Sequence, residues 1–120
     1  MDGDINILGD ASVGGDLEVK GKVKAKSVET EKINITDPEP DPDTGKSKAS
    51  IGEATIAAGQ TEVVVETTAV TDKSRIFVTA TTSTGGQSIY VSAKKAEESF
   101  TVSLDSPLPT DVKFDWWVVD

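Results

Sequence analysis

Residues 5–28 read INILGDASVGGDLEVKGKVKAKSV and divide into four blocks of six, INILGD, ASVGGD, LEVKGK and VKAKSV. The first and third positions of each block are apolar: Ile5 and Ile7, Ala11 and Val13, Leu17 and Val19, Val23 and Ala25. The fifth position is small: Gly9, Gly15, Gly21 and Ser27. A spacing of two puts both apolar side chains on one face of a strand. A small residue that tolerates positive φ then lets the chain turn a corner. The phase slips after Ser27 and resumes at Ile33 and Ile35.

Six-residue periods of this kind build β-helices, in which each block forms one wall of a triangular coil. Three walls complete a coil, so this run supplies little more than one, too few to stack a core in a single chain. The strand edges of such a lone coil would also stay unpaired. Three copies wound around a common axis remove both difficulties, because each apolar wall is then covered by the other two chains. The reading is an intertwined trimeric β-helical shaft over residues 1–36. Ile5, Ile7, Val13, Leu17, Val19, Val23, Ile33 and Ile35 form its core. A β-meander with Gly turns inside one chain is the alternative.

The totals narrow the chemistry. The chain has 120 residues and a net charge of −9, with neither Cys nor His. A negative surface repels phosphate backbones and anionic lipid, which disfavours nucleic-acid partners and polybasic membrane anchoring. The missing residue types remove zinc fingers, iron–sulfur clusters, thiolate chemistry and Ser-His-Asp triads. No signal peptide stands out in the acidic start MDGDINILGD. No apolar run approaches the ~20 residues that span a bilayer, so no membrane insertion is expected.

Residues 37–50, DPEPDPDTGKSKAS, alternate Pro with acids and read as an extended linker or long loop with nothing to bury. Residues 51–120 read as a small all-β head. The strands expected are 51–57, 62–66, 75–81, 88–93, 99–104 and 112–119, separated by the turn signals AAGQ, TDKS, STGGQ and DSPLP. Six short strands at this spacing suggest a β-sandwich or jelly-roll-like module. In the last strand Val112, Phe114, Trp116 and Val118 share one face, and Lys113, Asp115, Trp117 and Val119 share the other. Only one of these faces can fill the head's own core. Trp117 is then either covered by another subunit or left half-buried at the surface.

The stretch GDLEVKGKVKAKSVE (15–29) resembles the repeats of trimeric bacteriophage tail-fibre shafts. The segments ATIAAGQTEVVV (54–65), SRIFVTATTSTGGQSIYVSAK (74–94) and SFTVSLDSPLPTDVKFDWWVVD (99–120) resemble a C-terminal β-sandwich module of phage fibre tips, similar to H-type lectin domains. The resemblance implies a homotrimer on the virion tail fibre, engaged in fibre structure or host attachment, with other tail or fibre components as partners. H-type lectins bind sugar through aromatic, charged and Asn-type residues between subunits. This head has no Asn.

Several short motifs carry less. Asp43-Thr44-Gly45 matches the aspartic-protease triplet but sits in the Pro/Asp loop, without the paired buried Asp that this chemistry needs. Gly45-Lys46-Ser47 lacks the preceding Gly, strand and helix of a P-loop. Asn34-Ile35-Thr36 is an acceptor triplet by letter alone. Asp37, Glu39, Asp41 and Asp43 could meet calcium, but the prolines stiffen the chain and no EF-hand spacing exists. These acids, with Asp10 and Asp16, read as solvated charge. Glu97, Glu98, Asp105, Asp111 and Asp115 are the head's candidate carboxylates, with no spacing that marks a glycosidase pair. No catalytic residue, cofactor or metal site is therefore assigned. Tyr90, Arg75, Gln87 and Trp117 are the recognition candidates, since exposed aromatics stack on sugars and Arg and Gln hydrogen-bond hydroxyls.

The expectation is a non-enzymatic homotrimeric fibre protein that attaches to a host glycan or protein. Two alternatives stay open: a structural fibre, filament or virion-decoration subunit without a receptor, and an extracellular or cell-surface carbohydrate-binding module.

Overall fold

A computed structural model describes residues 4–36 and 38–120, and the chain divides into two units at Ile33/Asn34. Asp37, one of the proposed calcium ligands, lies outside the described residues.

The amino-terminal unit forms no strand among its described residues, and its side chains face solvent. Ile5, Ile7, Val13, Leu17, Val19, Val23 and Ile33 are all between 45% and 73% exposed. Ile35, in the second unit, is half-buried. The isolated chain thus does not close the expected β-helical coil, nor does it form the alternative meander. The physical reason is the one the repeat suggests: a single wall has no neighbouring strand in its own chain to receive its backbone hydrogen bonds.

The second unit is all-β. Its strands are β1 (Ile51–Ile56), β2 (Glu62–Glu66), β3 (Arg75–Ala80), β4 (Tyr90–Lys95), β5 (Ser99–Ser103) and β6 (Val112–Val119). They form two antiparallel three-stranded sheets, ordered β1-β6-β3 and β2-β5-β4. Each central strand comes late in the chain, so both sheets close only after the carboxy-terminal third has been placed. The expected fourth strand, 88–93, is displaced to Tyr90–Lys95. Gly85 and Gly86 hold positive φ, which extends the loop before it.

Strand alternation fills the space between the sheets. β6 contributes Val112, Phe114, Trp116 and Val118, and β5 contributes Phe100 and Val102, all buried. Ile56, Val70 and Leu104 complete the core, with Val63, Val65, Ile76, Val78 and Val91 packed around it. Phe100 and Trp116 meet edge to face across the sandwich, centroids 5.3 Å apart and planes at 68°. Gly52 stands opposite Trp116 in the β1–β6 register. A Cβ at Gly52 would lie 2.7 Å from Trp116 Cζ2, so the indole occupies the space a side chain would need.

The buried hydroxyls of Thr67, Ser74 and Ser103 are hydrogen-bonded, as burial demands. Thr67 Oγ1 donates to Ala49 O and accepts from Ala69 N at 3.2 Å. Ser74 Oγ donates to Asp120 Oδ1 and accepts from Thr71 N at 2.8 Å. Ser103 bonds Ser92 at 2.6 Å. Among the described residues Trp116 Nε1 is buried without a partner.

The Pro/Asp segment departs from expectation. Its end docks on the head, with Thr68 N donating to Ser47 O at 2.9 Å, Val118 N to Ser50 O at 2.7 Å, and Ala49 packed on the core. Residues 41–46 close a turn, with Asp41 N bonded to Lys46 O at 2.9 Å and Gly45 N to Asp41 O at 2.7 Å. Residues 96–98 make the β4–β5 hairpin loop, where Glu97 takes φ of 60°. Lys95 Nζ sits 2.9 Å from Glu98 Oε2 across that loop.

Three outcomes follow from this packing. Gly52→Ala forces the indole against Phe100 and lowers stability by about 1–3 kcal/mol, read from a urea midpoint. Glu97→Gly removes the left-handed penalty on a side chain and raises stability by about 1 kcal/mol in the same assay. The hydrogen bond from Lys95, aided by its charge, lowers the Glu98 pKa, so the pair's contribution is present above the ordinary carboxylate range. It is lost as pH falls through the lowered value. Glu98→Gln removes that part of the acid-side slope of stability against pH.

Candidate functional site

The four recognition candidates separate into two pairs. Arg75 and Trp117 lie on the outward face of the β1-β6-β3 sheet, where the exposed and buried positions of β3 and β6 alternate. Register sets Ile51, Trp117 and Phe77 in one row across the three strands, with Arg75 opposite Val119 in the next. Trp117 is 39% exposed and Phe77 is 55% exposed. Their rings are tilted at 42° with centroids 6.2 Å apart. The row on the other side carries Glu53, Asp115 and Thr79. This face is thus an apolar band edged by charge, not a polar solvated surface.

Sequence reasoning placed Trp117 on this face but did not single out Phe77. The signal was available in RIFVTA, because Ile76 and Val78 turn toward the core and period-two alternation sends Phe77 outward.

Tyr90 and Gln87 belong to the end of the sandwich around the loop 105–109. Gln87 Nε2 donates to Ser106 O at 3.1 Å, and Ser106 N donates to Gln87 Oε1 at 3.0 Å. Both ends of that amide are engaged in holding the loop. Tyr90 Oη donates to Asp105 Oδ1 at 3.3 Å, and the Asp105 charge beside it raises the phenol pKa. Tyr90 is exposed and Ile89 packs on the core, so the aromatic points away from the sandwich interior.

Three of the five carboxylates considered for chemistry have local partners. Asp111 Oδ1 accepts from Ala58 N at 2.8 Å, Asp105 receives Tyr90, Glu98 faces Lys95, and Asp115 stands in the outward row of β6. Among the described residues no cluster of three or more metal-ligating side chains occurs. Asp43 N donates to Asp41 Oδ1 at 2.9 Å, which makes the Asp-Thr-Gly triplet part of a turn. A shallow cleft lies beside that turn, lined by Lys46, Ser47, Glu66, Thr68 and Glu98 among others. Among the described residues no helix is long and apolar enough to cross a membrane.

A family model described as K1 capsule-specific polysaccharide lyase, C-terminal domain, matches residues 48–119. That span covers the head from the docked end of the Pro/Asp segment to the last residue of β6. No curated protein and no solved structure matches the chain. The match corrects the expectation of a non-enzyme, because it ties the chain to an enzyme-related family. That expectation rested on missing residue types and spacings. The absence of His and Cys removes particular chemistries and says nothing of the enzyme to which a C-terminal domain is joined.

The loop clamp has a direct test. Gln87→Ala removes two hydrogen bonds, and the Ser106 amide then exchanges with solvent at least tenfold faster, about 1.4 kcal/mol of local opening. Unchanged protection would mean the loop is held by its backbone alone.

Proposed function

From the premise that the chain belongs to the K1 capsule-specific polysaccharide lyase C-terminal domain family, we propose that it is a phage tail-associated protein. In this reading residues 1–36 assemble with two further copies into a shaft. Residues 51–120 form a terminal head on the virion that engages a host-surface glycan or protein. The family description, which names a capsule-specific polysaccharide lyase, supports a polysaccharide-coated surface as the setting.

One observation carries the assembly. The aliphatic side chains at the repeat positions from Ile5 to Ile33 all stand open to solvent in a single chain. Regularly spaced, contiguous apolar exposure of this kind marks an interaction site. A threefold arrangement gives each wall two partners and leaves no open strand edge between chains. A trimer also presents three copies of a weak surface site, and simultaneous engagement raises avidity by about 10²–10⁴.

A second reading, a structural subunit without a receptor, draws on Gln87, whose side-chain amide is occupied by Ser106. Tyr90 distinguishes the two, since it is the exposed aromatic of that end of the head. Tyr90→Ala is expected to lower retention on capsulated host cells at least tenfold at unchanged mass. Unchanged retention favours the structural subunit.

The assembly is tested by sedimentation equilibrium. The native chain is expected at about three times its 12.6 kDa. Val19→Asp brings three carboxylates into one apolar axis and gives the single-chain mass. A native chain that sediments at 12.6 kDa overturns the proposal.

A further inference from the structure

We infer that the outward face of the β1-β6-β3 sheet is a contact between copies of this chain, with the β3 side of one head against the β1 side of the next. The inference rests on the three-copy reading above and adds to it a second interface, in the head.

Two features of the two sheets differ in the same direction. The exposed aromatics Phe77 and Trp117 share one face, in a continuous row with Ile51. The opposite sheet exposes Val64 on β2 and Tyr90 on β4, in different rows and among Glu62, Glu66, Ser99, Thr101 and Lys95. Its edges are blunted as well. β4 carries a register shift between Val91 and Ala93 followed by Lys94 and Lys95, and β2 is short and acidic at both ends. Bulges, lysines and short length are the devices that keep sheet edges from joining other chains.

The edges of the β1-β6-β3 sheet lack those devices. β1 and β3 are regular six-residue strands without Pro, Lys or a bulge. Each has one outward charge, and the two are opposite: Glu53 on β1 and Arg75, the chain's only arginine, on β3.

Opposite charges at the two sides of an apolar row favour a head-to-tail contact between copies. The same edge meeting itself would place like charges together. A head-to-tail contact closes into a ring when the rotation is right, and a threefold ring is such a closure. Charge-flanked aromatics with Arg are also the composition of well-packed interface centres. A second copy of the chain fits these features better than a sugar, which needs neither the regular edges nor the charge pairing.

The test uses the full chain. Phe77→Asp is expected to raise the concentration at which trimers dissociate at least tenfold, whereas Val64→Asp, equally exposed on the other sheet, leaves it unchanged. Glu53→Arg and Arg75→Glu each weaken association, and the double exchange restores it, a recovery that simple misfolding would not give. If Phe77→Asp and the charge exchanges all leave the trimer intact while Val19→Asp dissociates it, the head interface is wrong and the shaft stands. If the native chain is already monomeric, both readings fall. If Phe77→Asp keeps its mass but loses retention on purified capsular polysaccharide, the face takes a glycan and the inference is overturned.

Discussion

The head depends on the period-two alternation of β6. As the middle strand of its sheet, β6 gives one edge to β1 and the other to β3. Its inward residues Val112, Phe114, Trp116 and Val118 are the apolar wall against which Phe100 and Val102 close. A shift of one residue would turn Lys113, Asp115 and Trp117 into that wall and expel Phe114 and Trp116, two of the core's largest side chains. Burying Asp115 and Lys113 without partners would then cost far more than the strand pairing returns. Register in this strand therefore decides the interior and, through Trp117, the surface.

That coupling explains why the head has one apolar outer face. Eight residues of alternating strand must point somewhere on both sides, and Trp117 is the outward neighbour of a residue the core requires. Phe77 on β3 comes to the same row because antiparallel pairing places it opposite Trp117. The aromatic band is thus built by the ladder itself, and both of its rings stay partly exposed. At the other end of the sandwich the polar groups are arranged differently. Gln87 clamps the loop through both ends of its amide, and Tyr90 bonds Asp105 beside it.

Much of this was legible from the residues alone. Alternation plus Gly and Asp turns located all six strands, because both are local signals with one physical cause each. The exceptions were non-local. The displaced start of β4 follows from two positive-φ glycines and a register shift that only pairing with β5 reveals. The docking of Ser47, Ala49 and Ser50 depends on donors and space that Thr67, Thr68 and β6 create. The four recognition candidates were selected by residue chemistry, which carries no information on distance, and the fold puts them in two places. The expectation of a non-enzyme failed for a related reason, since the tie to a lyase comes from the whole head sequence and no short motif shows it.

The two units raise one common question, namely what covers apolar surface that a single chain leaves open. For the repeat the claim is that sister chains do so, pairing its backbone as they bury its aliphatics. Amide hydrogen exchange across residues 5–35 of the assembled protein measures that most directly. The account predicts slow exchange that alternates along each six-residue block and disappears when Val19→Asp breaks the assembly. Exchange at the rate of an unstructured chain throughout this segment, in native protein at high concentration, would contradict it.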